Sequence, residues 1–150
     1  MKKILFRLFQ GIGFLFALAI LVFLIRMPQL EGRAQHLDLL AIYSDPFIWF
    51  GYGIAIFFFA AYYQGIGLLG LIGENQLYSK SGIKLLVRLR NWTIAFGFSV
   101  LFAGIFIYTF HAQEDDPAGF LALCLIAVLA STIVIGVSLK MKKRILVRIN

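Results

Sequence analysis

The sequence predicts an all-α membrane protein with four transmembrane helices. Three observations carry this. Hydrophobic residues make up 61% of the 150-residue chain, more apolar surface than a soluble domain of this size can bury. Charged residues amount to only 14%, and they are clustered. Four long runs are free of Asp, Glu, Lys, Arg and His: about 8–25, 47–72, 92–110 and 118–139. About twenty apolar residues at ~1.5 Å each cross a ~30 Å hydrocarbon core.

The first run follows "MKKILFRLFQ". Its apolar stretch is long for a signal peptide and no A-x-A-like site follows at the right distance, so it reads as a retained helix. The outer loop 27–46 is long enough for a short helix, and "HLDLLAIY" has apolar residues on one helical side that suit the membrane interface. The second and fourth runs both open with Asp-Pro, Asp45-Pro46 and Asp116-Pro117. Asp is a good N-cap, and Pro suits the first helical position because its missing N–H would have no partner there. The second run is longer than a bilayer needs, so it tilts or projects. Gly65, Gly67, Gly70 and Gly73 at its end read as helix-packing positions with a stop at Gly73. The pairs Gly51/Ala55 and Ala61/Gly65 fit close helix contact. The inner loop 73–91 carries Ser79 and Ser81, either able to cap a helix beginning near Ile83. The outer loop 111–117 is short and makes its flanking spans antiparallel neighbours. A basic tail, 140–150, follows the last span.

Charge sets the orientation. Lys2, Lys3, Arg7, Lys80, Lys84, Arg88, Arg90, Lys140, Lys142, Lys143, Arg144 and Arg148 are twelve of the fourteen Lys and Arg, and all lie on one side with only Glu74 among them. Arg26 and Arg33 lie on the other side with the remaining six acidic residues. The positive-inside rule places both termini in the cytoplasm. The segments "LFRLFQ" and "LVRLRN" echo one another at the entries to spans one and three; with the shared Asp-Pro they suggest two helical hairpins in parallel repeat.

Few residues point to chemistry. The charge-free spans argue against a self-contained pump or proton-coupled carrier. "FGYGI" contains the Gly-Tyr-Gly of potassium filters but lacks the pore-helix context. His111, Glu114, Asp115 and Asp116 are weak metal candidates, exposed and without a second partner cluster, and no metal site is assigned. Gln64 suits a hydrogen bond between helices, as do Ser99, Thr109, Ser131, Thr132 and Ser138. Cys124, the single cysteine, is read as an inert buried thiol. No nucleophilic triad or phosphate loop is present, so no enzyme and no cofactor is expected. The net charge of +7 suggests anionic phospholipid rather than direct nucleic-acid binding. Lys80, Lys84, Arg88 and Arg90 in the inner loop, and Lys142, Lys143 and Arg144 in the tail, are the expected contacts for lipid headgroups or a protein partner.

The segments "LYSKSGIKLLVRLRNW" and "EDDPAGFLALCLIAVLASTIVIGVSL", with the long second span, resemble the domain-of-unknown-function family 2975, small four-helix bacterial membrane proteins. The resemblance covers about 60–143. It implies a possible cytoplasmic partner, since family members are commonly encoded beside a small helix-turn-helix regulator. Members usually end in a more mixed or acidic tail; this tail is basic. The expected function is a non-enzymatic membrane protein whose basic cytoplasmic face binds or modulates such a regulator. The alternative is an accessory subunit of a transporter or membrane complex, or a lipid-binding or immunity protein. Small-residue faces would serve a homo-oligomer as well as a monomeric bundle.

Overall fold

A computed structural model describes residues 2–30, 38–44, 46–110 and 118–149. It contains five helices: α1 (Lys2–Leu30), α2 (Leu39–Tyr43), α3 (Pro46–Gly73), α4 (Lys80–Phe110) and α5 (Ala118–Ile149). No strand occurs among the described residues. Four of the helices, all but α2, are long and apolar enough to cross a membrane. Their apolar side chains point outward: Leu15 is 69% exposed on α1, Phe98 72% on α4 and Ile133 66% on α5. Such surfaces are unstable in water and stable in lipid. The chain is therefore a multi-pass membrane protein.

The long helices run alternately up and down. Phe6 lies against Gly73 and Gln10 against Gly70, so α1 and α3 are antiparallel. Phe50 meets Phe102 and Phe57 stacks on Trp92, so α3 and α4 are antiparallel. Gly97 lies on Ser131 and Gly104 on Cys124, so α5 returns alongside α4. Each long helix packs mainly on the next long helix in sequence. The result is an open row, α1–α3–α4–α5, rather than a closed bundle.

The three joints of the row are built differently. Between α1 and α3, glycines admit large side chains, and two hydrogen bonds cross the joint. Gln10 Nε2 donates to the Ile66 carbonyl at 3.0 Å, and the Tyr62 hydroxyl donates to the Gly13 carbonyl at 3.0 Å. Between α3 and α4 the joint is a ladder of rings: Phe50–Phe102, Phe58–Phe96 and Phe57–Trp92, with centroids 5.6–6.1 Å apart. Between α4 and α5 small residues bring the backbones close, as packing in lipid favours.

Several expectations need correction. Gly51 and Gly65 have nothing within 4 Å of an added Cβ, so the helix contacts run instead through Gly13, Gly67, Gly70, Gly73, Gly97 and Gly104. Gly73 ends α3 as expected, yet the left-handed residue is Asn75, with φ 56°. Asn75 N–H bonds to the Ile72 carbonyl and Gln76 N–H to the Leu71 carbonyl; this pair of bonds defines a Schellman stop with Asn75 at its left-handed position. Helix α4 starts at Lys80, not near Ile83, because Ser79 is its cap: Ser79 Oγ accepts from the Gly82 N–H at 3.3 Å. The inner loop therefore shrinks from 73–91 to 74–79. Pro28 sits inside α1, which runs on to Leu30. "FGYGI" lies within continuous α3, its backbone in helical geometry rather than a filter loop. The echoed Gln10 and Asn91 play different parts: Gln10 ties α1 to α3, while Asn91 accepts from Arg90. The short helix in "HLDLLAIY" is present as α2. It is fastened to α1 by Tyr43, whose hydroxyl donates to the Ile25 carbonyl at 2.7 Å and accepts from Gln29 Nε2 at 2.8 Å.

Candidate functional site

The antiparallel row gathers the basic segments at one end: the start of α1, the start of α4 and the end of α5. The helices there are too long for the bilayer. α4 has 31 residues and α5 has 32, about 47 Å each against a ~30 Å core. The apolar run of α4 begins at Trp92, so residues 80–91 project ~18 Å beyond it. The helix expected from near Ile83 is therefore present, begins at Lys80 and forms an overhang continuous with the span.

A small core holds this overhang together. Leu68 of α3, Leu86 of α4 and Ile145 of α5 are buried against one another, with Leu77, Ile83, Leu85, Leu89 and Met141 around them. Leu86 and Ile145 are only 2% and 1% exposed. Water drives apolar side chains together, whereas lipid tails solvate leucine as well as a neighbouring helix does.

With Ile83, Leu86 and Leu89 turned inward, Lys80, Lys84 and Arg88 recur every four residues on the opposite, exposed face of α4. Arg90 is half-buried and donates through Nε and Nη2 to Asn91 Oδ1, at 3.3 and 3.0 Å. Lys143 and Arg144 are exposed on α5, and Lys142 is half-buried. Among the described residues, Glu74 is the one acidic side chain at this end of the row. The predicted cations are thus brought together in space, but they divide among different surfaces. Lys143 and Arg144 line a shallow groove of about 600 Å³ with Tyr78, Lys140 and Val147. Arg88 lines a second, of about 560 Å³, with Gln64, Asn91, Trp92 and Ala95. Lys80, Lys84, Arg90 and Lys142 line neither.

Gln64 differs from expectation. It is 9% exposed, and its Oε1 has no hydrogen-bond partner among the described residues. The bonds between α1 and α3 come from Gln10 and Tyr62 instead. The hydroxyls of Ser99, Thr109, Ser131 and Thr132 bond carbonyls of their own helices four residues back, and so do not bridge helices. Sequence gave no sign of which amide would be left over, because that depends on which helix faces meet. The metal candidates His111, Glu114, Asp115 and Asp116 lie outside the described residues, as do both Asp residues of the Asp-Pro pairs.

The sequence profile of a family described as proteins of unknown function, DUF2975, matches residues 29–146. The chain belongs to the DUF2975 family. The match is wider than the resemblance at 60–143. It takes in α2 to α4 and most of α5, including the whole α4 overhang, while α1 lies almost entirely ahead of it. No curated protein and no solved structure matches the chain. The DUF2975 assignment carries no activity with it, so function rests on the geometry of the basic end.

Proposed function

We propose that this DUF2975 protein is a non-enzymatic membrane protein of the bacterial cytoplasmic membrane. Its basic end faces the cytoplasm and docks a protein partner, and a small helix-turn-helix transcriptional regulator is the kind of partner the family resemblance implies. The charge asymmetry supports the orientation, with both termini inside.

The observation that carries the reading is the ordered first third of α4. Ser79 caps it, and Ile83, Leu86 and Leu89 anchor it in a core. Lys80, Lys84 and Arg88 stand exposed on its outer face. A topology signal requires only charge; it does not require a capped helix bolted to two neighbours. A rigid helix with cations at fixed spacing lowers the cost of ordering on binding and suits an acidic partner surface.

The test is co-purification from native membranes, with partners identified by mass spectrometry. The double substitution K80E/K84E reverses two exposed charges that line neither groove. Recovery of the partner is expected to fall about tenfold or more. Undiminished recovery at equal protein level would sink the assignment of the docking face.

A further inference from the structure

The second groove combines features that partner docking does not explain. It lies between α3 and α4, where Leu85 abuts Gly67 on one side and Trp92 stacks on Phe57 on the other. That is the level at which the apolar run of α4 begins. Its lining is ordered by polarity. Trp92 and Ala95 make the side toward the spans apolar, and Arg88 and Asn91 make the side toward the overhang polar. Asn91 Oδ1 is taken by Arg90, which leaves its Nδ2 as the open group of the amide. The groove therefore offers a guanidinium and an amide N–H to an anion. Beside them is Gln64, nine-tenths buried, with an acceptor oxygen that nothing among the described residues satisfies. A buried amide oxygen without a donor costs free energy that a ligand hydroxyl can recover. Rotation about the last torsion of glutamine is soft, so that oxygen can turn toward a hydroxyl in the groove.

We propose that this groove binds the headgroup of an anionic phospholipid that carries free hydroxyls, the chemistry of phosphatidylglycerol. Arg88 and Asn91 take the phosphate, Gln64 Oε1 accepts from a headgroup hydroxyl, and Trp92 lies along the glycerol and upper acyl region. The site goes beyond the docking reading and fails or stands separately from it. Q64L alters no charge on the docking face, and K80E/K84E alters nothing in the groove.

Trp92 is a built-in reporter. Trp49, the other tryptophan, lies at the far end of the row and donates to the Tyr43 carbonyl, so W49F leaves Trp92 alone. The W49F protein is placed in phosphatidylcholine nanodiscs with one brominated lipid at a fixed mole fraction. The lipids compared are phosphatidylglycerol, phosphatidylethanol (anionic, without a hydroxyl) and phosphatidylcholine. Quenching is expected to report about fivefold enrichment of phosphatidylethanol over phosphatidylcholine, the factor that one lipid-facing cation supplies, and about fifteenfold enrichment of phosphatidylglycerol, to which the Gln64 bond adds a further factor of about three. Q64L is expected to lower phosphatidylglycerol by a factor of about three, to the level of phosphatidylethanol. R88Q is expected to abolish the preference for both anionic lipids.

No preference in W49F, a preference that survives R88Q, or an unchanged ratio of the two anionic lipids in Q64L would each overturn the proposal. Protection of Trp92 by inorganic phosphate at matched ionic strength would overturn it in favour of a soluble anion. Arg88 is exposed and Q64L removes an unmet polar atom, so neither change empties the core. Native mass spectrometry of the unaltered chain reads the same lipid preference without any substitution.

Discussion

Glycines in this chain divide by what faces them. A Cβ at Gly73 would lie 2.7 Å from Phe6 Cβ, an atom fixed to the α1 backbone, so G73A pushes α1 off α3. Overpacking of this kind costs ~1–3 kcal/mol, more than the ~1 kcal/mol that replacing a helical glycine with alanine returns. Gly65 faces open space, and there only the gain remains. G73A is expected to lower unfolding free energy in mixed micelles by about 1 kcal/mol, and G65A to raise it by about the same. Equal effects would contradict the joint described. The sequence shows both glycines eight residues apart on one helix and assigns both to packing. Only the position of α1 separates them. The same holds for the two glutamines of the apolar runs. Gln10 and Gln64 both sit among apolar residues, and the neighbour's carbonyl at Ile66 satisfies one of them and not the other.

At the scale of elements, α4 is where sequence reading is most informative and least accurate at once. Its amphipathic order is visible in "SGIKLLVRLRNW", as is a serine cap ahead of it. Which serine caps it depends on backbone geometry that no propensity records. Gly82 explains the choice: a Cβ there would run into the Leu77 carbonyl oxygen, so the chain turns back tightly just before Lys80. Ser79 Oγ then meets the Gly82 N–H while donating to the Gln76 carbonyl at 2.6 Å. S79A is expected to cost ~1 kcal/mol and to speed amide hydrogen exchange in residues 80–83 more than in the span. Uniform exchange along α4 would contradict a cap-dependent overhang. The start of the helix and the start of the apolar run are set by different things. The apolar pattern marks where lipid contact begins, whereas hydrogen bonding marks where the helix begins, and here the two differ by twelve residues (80 against 92).

For the whole molecule, the open row leaves lipid, or another chain, to cover most of the apolar surface. The basic ends of α1, α4 and α5 lie together, so orientation is a single two-way question about the molecule. We propose the answer that the positive-inside asymmetry favours, with the basic end in the cytoplasm. In a C124A background, a cysteine placed by K80C is expected to escape a membrane-impermeant maleimide in intact cells and to react in inverted membrane vesicles. Labelling of intact cells would reverse the molecule and with it the docking face.

The sequence by itself determined the membrane class, the four apolar helices and the segregation of charge, because lipid imposes these on composition and run length one segment at a time. The tertiary structure decided that the helices form a row rather than a ring, that the amphipathic start of α4 is braced against α3 and α5, and that the Gln64 side-chain oxygen is left without a partner among the described residues, beside Arg88. Those outcomes depend on which faces meet. In lipid no strong hydrophobic force selects the faces, so small residues, stacked rings and two interhelical hydrogen bonds make the choice.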